Sequence, residues 1–563
     1  MKKSLILSVL FSFLCLSTLM AQPAPVKKAA KSMFKLTTFD AEGKVLATSY
    51  GAFVSAEGDG LSTWTPFVGA SSATVIDAQG RKYDVDCIVG ANEIYNVSKL
   101  RVKVPEGKKM AIVPIIVATS AIETGGETWL VGYDIKAPSA KKYSPSKVET
   151  FQNNLPYYIF EETADDEMAG SPFLNSMGEL IGLMEPAKKR TDLYCASSQY
   201  AIKMEPTGLT ANEATMKQTD MRIALPKDQN QALLALVMSQ NKASSPKYLA
   251  TSEEFIALFP TSYQGYKAKA DYYLQKEDFA ECDQVMKKAV EICDEKDEVH
   301  YAYSKMILEK MTSGYDSIYT EWNYGKAIEE IDLAYSANPL PIYTLHKARI
   351  LYGEKKYKES YDAFMSVSNT NMRSGDCFYG AALCLQEMKE PQEKILALLD
   401  SAVACYPADS YPSYAAPYLL IRARQLDSMG QSRKALSDLF TYEKAVNGRC
   451  NAEFYYEREQ VGLRSKSYQT ALNDIAHAAA IAPQEGTYLA ELALLNVKLN
   501  KFEEGETFAK LCIERFPEYG DGYAICGLAL INKGDKKEGL TFLEKAKEMG
   551  SPMAEPLIEK YSK

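Results

Sequence analysis

The chain has 563 residues, more than the roughly 250 to 300 at which a single hydrophobic core stops growing, so at least two domains are expected. Its composition, 46% apolar and 24% charged, is that of an ordinary soluble globular protein. The net charge of -9 and the lack of a stripe of clustered lysine and arginine argue against a nucleic-acid-binding protein, which needs such a stripe to displace counterions from phosphates.

Residues 1–21 have the three parts of a secretory signal peptide. Two lysines are followed by an apolar run over residues 5–20 and by the small residue Ala21, after which we expect cleavage. Cys15 leaves a lipid anchor open as an alternative, although the bulky Leu14 stands where such a site needs a small residue. No later stretch reaches the ~20 apolar residues of a membrane-spanning helix. The sequence therefore predicts a bacterial protein that is periplasmic or secreted, without a transmembrane segment.

Residues 33–205 are predicted to form an all-β domain. Apolar and polar residues alternate there in short runs, such as 35–39, 74–77 and 100–104, which are separated by Gly, Asp and Asn. The polar residues that follow, 206–245, include prolines and glycine and predict a connector that can contain a degenerate helical unit.

From residue 246 to 563 the sequence repeats with the period of paired helices. A tetratricopeptide repeat (TPR) is a unit of two helices and about 34 residues, with small residues where the helices cross and a proline after the second helix. The small residue recurs at Ala471, Gly505 and Gly539, and about eight units are predicted, with a ninth, degenerate unit over residues 230–260 left open. The clearest copies contain Tyr324, Ala327, Ile331, Ala334 and Pro339; Tyr468, Ala471, Ile475, Ala478 and Pro483; and Phe502, Gly505, Ala509, Cys512 and Pro517.

One interval between repeats is longer than the others. Phe279 and Tyr324 occupy equivalent positions but are 45 residues apart, so a loop over residues 312–321 is predicted to bulge from the array.

The cysteines beyond Cys15 lack the close pairs of a zinc site, so neither a metal nor a cofactor is predicted. Several of them, such as Cys282, Cys512 and Cys526, fall where a repeat has a small apolar residue. Buried thiols are therefore favoured over disulfides, which export would permit.

Three segments of the β-rich part resemble the HtrA-type trypsin-like serine proteases. They are residues 51–70, which end in Gly-Ala; residues 89–97; and residues 169–182, which begin Ala-Gly-Ser-Pro-Phe. Residues 126–133 and 200–202 are similar to two further strands of that family. The resemblance covers most of residues 45–205 and implies an all-β trypsin-like double barrel in front of the all-α TPR solenoid.

The resemblance also places the catalytic triad of that family on residues that cannot perform its chemistry. The histidine position falls on Thr65, or on Pro66 when counted from the preceding strand; the aspartate position falls on Asn96 and the serine position on Ala169. A serine protease needs a hydroxyl nucleophile, an imidazole base and an orienting carboxylate. The sequence therefore predicts that the chain is not an enzyme.

Two further residues bear on that prediction. Ser171, two residues after the family's nucleophile position, is the alternative nucleophile, but all three histidines of the chain, His300, His346 and His477, lie in the helical part. Glu167 replaces a glycine of the oxyanion loop, where its carboxylate would repel a developing oxyanion.

The predicted function is that of an exported, non-catalytic scaffold in which a pseudo-protease domain and a TPR groove bind peptides or partner proteins. By register, Arg349, Tyr352, Arg424 and Tyr456 are expected to face the groove, and arginine and tyrosine are common anchors at interfaces. Two alternatives stay open: an active serine endopeptidase with non-standard catalytic residues, and a structural subunit of an envelope assembly.

Overall fold

The computed structural model describes residues 22–103, 111–151, 155–163, 168–185, 192–315 and 318–562. The predicted signal peptide and Glu167 lie outside these residues. The chain divides into two compact units, Met1–Val299 and His300–Lys563. Within the described ranges, no helix combines the length and the apolar character needed to cross a lipid bilayer.

Six strands form a closed barrel at the start of the first unit. Their bounds are β1 Met33–Phe39, β2 Val45–Phe53, β3 Asp59–Thr63, β4 Ser72–Asp77, β5 Lys82–Asn92 and β6 Val97–Val102. Neighbours pair antiparallel in the order β1-β2-β3-β6-β5-β4. Glycine is required beside the buried Phe34 ring, because a Cβ at Gly51 would lie 2.5 Å from its Cζ and a Cβ at Gly60 would lie 2.7 Å from its Cε1. The ring of Phe34 therefore fills the interior against bare backbone.

A seven-stranded sheet follows the barrel. Its strands are β7 Thr128–Gly132, β8 Ser139–Tyr143, β9 Lys147–Phe151, β10 Leu155–Phe160, β11 Pro172–Asn175, β12 Leu180–Glu185 and β13 Leu193–Ser197. They pair in the order β8-β7-β11-β12-β13-β10-β9. The rings of Phe160 and Phe173 stack in its core with centroids 4.7 Å apart. Two short helices, α1 Ala24–Ala29 and α2 Ser198–Ile202, flank the two sheets in sequence.

The rest of the chain is helical. Its helices are α3 Gln229–Ser239, α4 Pro246–Leu258, α5 Tyr263–Gln275, α6 Phe279–Ile292, α7 Lys296–Thr312, α8 Tyr324–Ala337, α9 Pro341–Gly353, α10 Tyr357–Val367, α11 Gly375–Glu387, α12 Gln392–Ala404, α13 Ala416–Ser428, α14 Ser432–Ala445, α15 Ala452–Arg464, α16 Tyr468–Ile481, α17 Gly486–Lys498, α18 Phe502–Arg515, α19 Gly520–Lys533, α20 Lys536–Glu548 and α21 Ala554–Tyr561. Helix α5 packs against α6, and consecutive helices pack against one another from α8 to α20. The predicted fold class, a β-rich part followed by an all-α helical repeat region, is confirmed.

Small residues stand where the two helices of a pair cross. In α19 and α20 the crossing excludes any side chain, because a Cβ at Gly539 would lie 2.6 Å from the Gly527 carbonyl oxygen. In α9 and α10 the Ser360 hydroxyl donates to the Ala348 carbonyl at 2.8 Å. In both pairs the two residues are twelve positions apart in the sequence. Close approach of backbones at this position explains why the repeat shows as a recurring small residue.

The long interval between repeats falls between α7 and α8. Lys310, 1% exposed, donates from Nζ to the Trp322 carbonyl at 3.0 Å and to the Tyr319 carbonyl at 3.2 Å. Trp322 is also 1% exposed. Residues 316–317 of the predicted loop lie outside the described residues. The residues that follow them are hydrogen-bonded to the end of α7 through the buried Lys310.

The segment that the sequence marks as a connector contributes backbone hydrogen bonds to the barrel. The Ile88 N–H donates to the Arg222 carbonyl at 2.8 Å, and the Ala224 N–H donates to the Ile88 carbonyl at 2.9 Å. The Arg222 side chain, 7% exposed, forms ion pairs with Asp86 of β5 and Glu254 of α4. One arginine thus joins the barrel, the segment after it and the start of the helical region.

Replacing Arg222 with methionine is expected to lower the free energy of unfolding by about 2 kcal/mol, less than for a fully buried pair because Asp86 is 25% exposed. Removing one partner of a buried ion pair leaves the other charge uncompensated, and Glu254 is only 14% exposed. Urea unfolding followed by tryptophan fluorescence measures the change. Lys247→Met is the matched control, since the Lys247–Asp220 pair is exposed on both sides and is expected to change stability by less than about 0.5 kcal/mol. Equal effects of the two variants would contradict the prediction.

Candidate functional site

Two of the three predicted triad positions are hydrogen-bonded to each other. Thr65 begins a turn of 3-10 helix just after β3, and Asn96 lies between β5 and β6. Asn96 Oδ1 accepts from the Thr65 N–H at 2.8 Å, the Thr65 hydroxyl at 2.8 Å and the Trp64 N–H at 3.1 Å. The amide oxygen thus caps the turn that carries Thr65.

The third position, Ala169, is bound to the barrel through its backbone. Its carbonyl accepts from the Tyr50 N–H at 3.0 Å and from the Ser49 hydroxyl at 2.9 Å. The hydroxyls of Ser49 and Thr63 are 2.9 Å apart, so this contact reaches the end of β3. A Cβ on the next residue, Gly170, would lie 2.3 Å from the Tyr50 carbonyl oxygen. The loop before β11 therefore lies tightly against β2, close to the strand that leads to Thr65.

The side chains at these positions have little nucleophilic capacity. Ala169 has no side-chain heteroatom, and the Thr65 hydroxyl donates its proton to Asn96. Ser171, the alternative nucleophile, is 0% exposed, and its hydroxyl has no hydrogen-bond partner among the described residues. Glu167 lies outside those residues.

In the helical region, the predicted groove residues Arg349 and Tyr352 line one cavity. Both belong to α9, and the cavity of about 230 Å³ extends to α10 and α11. Its other lining residues are Phe364, Asp376, Tyr379, Gly380 and Leu383. The Arg349 Nη2 atom is 3.6 Å from Asp376 Oδ2, and the Tyr418 hydroxyl donates to Asp376 Oδ1 at 2.5 Å. Two of the four predicted groove residues therefore share one cavity.

The other two predicted groove residues lie further along the array and are partnered. Arg424 of α13 donates from Nε and Nη2 to both carboxylate oxygens of Glu457 of α15, at 2.7 and 2.8 Å. The Tyr456 ring packs against Tyr488 of α17 with centroids 5.3 Å apart, and burial raises the pKa of the Tyr456 hydroxyl. The structure therefore brings Arg349 and Tyr352 together and places Arg424 on α13 and Tyr456 on α15.

Sequence reasoning missed the side of the cavity that α11 provides. Asp376, Tyr379 and Leu383 lie on a helix whose repeat copy is weak, since its unit was recognised from Ala402 and Pro407 alone. In other helix pairs the two residues at the crossing are twelve positions apart. Counting twelve residues back from Ile395 would have placed Leu383 at the crossing and so assigned the register of α11.

The comparisons with known proteins find similarity among solved structures. No protein-family model matches the chain, and no curated protein matches it. Among solved structures, the chain is similar to the active form of the Rv3671c protease from M. tuberculosis, with 15% sequence identity, a TM-score of 0.28, and coverage of 33% of this chain and 85% of that chain. A likeness of this size assigns no catalytic residue in this chain.

This comparison corrects one prediction. The residues at Thr65, Asn96 and Ala169 led to the prediction that the chain is not an enzyme. A solved structure that the chain matches is an active protease, so that prediction is wrong. The physical reason is that a missing triad excludes only one arrangement of nucleophile and base, whereas other residue types can also act as nucleophiles.

Proposed function

We propose that the chain is an exported scaffold that binds peptide segments of partner proteins along a TPR-type array. The binding surface is formed by the first helix of each pair, α9, α11, α13, α15, α17 and α19. The small residues at the crossings and the 34-residue interval between Ala471, Gly505 and Gly539 support the TPR assignment. Stacked helix pairs of this kind form an extended groove lined by one helix of each pair. The predicted signal peptide supports a periplasmic or secreted location.

The cavity between α9 and α11 is the observation that carries this proposal. It combines aromatic walls with the charged side chains of Arg349 and Asp376, which are 49% and 53% exposed. Interfaces are anchored by such arginine and aromatic residues at the edge of concave pockets.

The opposite helices offer a poorer surface for a partner. A wider concavity on α18 is lined by Glu503, Glu506, Lys510 and Lys533, among others. Glu506 already forms ion pairs with Lys510 at 2.6 Å and with Lys533 at 2.7 Å. A partner would have to displace these pairs and would meet few aromatic groups, so the first helices are favoured.

A peptide selection tests the proposal. Sixteen-residue peptides would be selected from a random library against the full chain, and their Kd measured by fluorescence anisotropy. Such a peptide spans up to about 55 Å when extended, and packed helices lie about 8–10 Å apart, so it can cross several first helices. The double variant Arg424→Ala, Tyr456→Ala is expected to weaken binding at least tenfold, because anchor residues at interfaces each contribute more than about 1 kcal/mol.

The matched control is Arg433→Ala, Tyr335→Ala, which makes the same changes on the second helices α14 and α8. Both of these side chains are exposed, and less than a twofold change is expected. Peptides that lose affinity only with the second-helix variant, or a selection that enriches no binding peptide, would contradict a groove on the first helices. Binding along the helices is compatible with peptide-bond hydrolysis by the β-rich part, so the readout is affinity alone.

A further inference from the structure

The cavity between α9 and α11 has the size and the walls of a pocket for one aromatic ring. Its volume is about 230 Å³, whereas a cavity of roughly 150 Å³ lined by apolar side chains already holds benzene. Tyr352, Phe364 and Tyr379 line it from three different helices. Two aromatic rings in offset or edge-to-face contact stabilise each other beyond the burial of their apolar surface. An aromatic occupant therefore matches this wall better than an aliphatic one.

A glycine of α11, Gly380, forms part of the cavity wall. A Cβ at Gly380 would lie 2.4 Å from Cζ of Phe364, so no larger residue fits without moving that ring. Glycine is unfavourable in a helix interior, yet Gly380 lies inside α11, which continues for seven more residues to Glu387. Close packing of Phe364 thus forms a cavity wall made of a ring and bare backbone.

The mouth of the cavity carries one positive and one negative group whose hydrogen-bonding capacity is incompletely used. Arg349 approaches Asp376 only to 3.6 Å, and the Arg349 N–H groups have no hydrogen-bond acceptor among the residues that the structure describes. Asp376 accepts from Tyr418 through Oδ1, which leaves Oδ2 open to a donor. A donor and an acceptor side by side match the C=O and N–H groups of a peptide main chain.

The two charges also determine what the pocket excludes. A cationic side chain would be attracted by Asp376 but repelled by Arg349. An anionic side chain would be attracted by Arg349 but repelled by Asp376. An uncharged ring leaves the Arg349–Asp376 pair intact and buries apolar surface.

We infer that this pocket binds an uncharged aromatic side chain of a partner peptide, with the adjoining peptide C=O and N–H hydrogen-bonded to Arg349 and Asp376. The inference rests on the proposed function and specifies the chemistry of its anchor. It makes the pair α9–α11 the place where a bound segment is fixed in register on the array.

The test uses N-acetyl-4-fluorophenylalanine amide as the probe and ¹⁹F NMR line broadening of the full chain as the readout. Saturable binding is expected, with displacement by N-acetylphenylalanine amide at a concentration at least fivefold lower than by the corresponding leucine, lysine or glutamate amides. Tyr352→Ala is expected to weaken binding at least fivefold. Tyr335→Ala, the same change on the exposed face of α8, is expected to have less than a twofold effect. Circular dichroism of each variant verifies that the helices are intact.

Three results would overturn the inference: no saturation of the probe up to 50 mM, equal competition by the leucine and phenylalanine amides, or full binding to the Tyr352→Ala variant. If library-selected peptides then still lose affinity with Arg424→Ala, Tyr456→Ala, the groove stands and only the aromatic anchor fails. If those peptides are also indifferent to that double variant, the proposed function fails with it. Arg349→Ala provides a second check of the mouth, because it should reduce the affinity of the amide probe without removing the aromatic wall.

Discussion

Replacing Arg458 with alanine is expected to lower the free energy of unfolding by about 3–5 kcal/mol, the range found when one partner of a buried ion pair is removed. Arg458 of α15 is 4% exposed, and its guanidinium donates from Nε and Nη2 to both oxygens of Asp474 of α16, at 2.9 and 2.7 Å. A third bond runs from Nη1 to Glu443 of α14 at 2.6 Å. One side chain therefore neutralises carboxylates on two neighbouring helices.

The large effect follows from the burial of Asp474, which is 2% exposed. Burial raises the pKa of Asp474 even though Arg458 acts in the opposite direction. Without Arg458 the carboxylate would keep its desolvation penalty and lose its counter-charge. The guanidinium also lies over the Phe440 ring at 4.4 Å from the centroid, so the alanine variant loses a cation–π contact as well.

Urea unfolding of the full chain measures this effect, with Arg424→Ala as the matched control. Arg424 forms an equally bidentate pair with Glu457, but Arg424 is 57% exposed, and exposed pairs contribute about 1 kcal/mol or less. A second variant, Arg458→Met with Asp474→Leu, replaces the buried pair with apolar side chains and is expected to recover most of the lost stability. The prediction would be wrong if Arg458→Ala cost no more than Arg424→Ala.

The same arrangement occurs one repeat earlier. Arg422 of α13 donates from Nε and Nη2 to both oxygens of Asp438 of α14, each at 2.7 Å. The arginines are 36 residues apart, as are the aspartates. Each pair joins the first and second helices of one unit, so the ion pair is a repeated element of two adjacent units.

How far the fold could be predicted depended on whether its signal lay in local spacing. The small residues at Ala471, Gly505 and Gly539 recur at the repeat length, because backbones meet at every crossing. The Arg458–Asp474 pair joins two helices through a separation of sixteen residues, and no apolar periodicity marks it. The hydrogen bonds of Ile88 with Arg222 and Ala224 also leave no pattern in the sequence, since a segment that pairs with a single strand residue needs no alternation of apolar and polar residues.

In the candidate site, too, only the features marked by a local motif or spacing could be predicted. The motif resemblance aligned Thr65 with Asn96, and a hydrogen bond joins them. The groove register identified Arg349 and Tyr352, which line a common cavity, but it could not show that Arg424 is occupied by Glu457. Glu457 lies 33 residues after Arg424, which is about one repeat. A search for opposite charges one repeat apart would therefore have found this pair.

Glu459 breaks the rule of small residues at the crossings. It stands twelve residues before Ala471, where other pairs have residues such as Ala348, Ala493 and Gly527. Glu459 is 0% exposed, and its Oε1 atom has no hydrogen-bond partner among the described residues. Its Oε2 atom accepts from the Gln460 amide at 2.6 Å. A buried carboxyl with an unsatisfied oxygen is unfavourable when it is ionised.

The charges around Glu459 increase that penalty. Burial, followed by the negative charge of Glu491 on α17, raises the pKa of Glu459 to about 7. Asp474 on α16 acts in the same direction, whereas the Gln460 hydrogen bond and Lys498 on α17 oppose it. Because the folded carboxyl binds its proton more tightly than the unfolded one, whose pKa is near 4.5, the folded state is favoured at low pH. The stabilisation is complete below about pH 4.5 and is lost as the pH rises through 7.

Glu459→Gln is therefore expected to stabilise the chain at pH 8 by about 3 kcal/mol, the free-energy equivalent of a shift from 4.5 to about 7. Glutamine is neutral and nearly isosteric with the protonated carboxyl, so the variant should match the natural chain at pH 4.5 and diverge from it as the pH rises. Urea unfolding at pH 4.5, 6, 7 and 8 measures the difference in stability between the variant and the natural chain. The control is Glu453→Gln, an exposed change in the first turn of α15, whose stability should equal that of the natural chain at all four pH values. A pH-independent difference for Glu459→Gln would contradict the prediction, because it would mean that the carboxyl titrates alike in the folded and unfolded states and that its burial is compensated by contacts other than a proton.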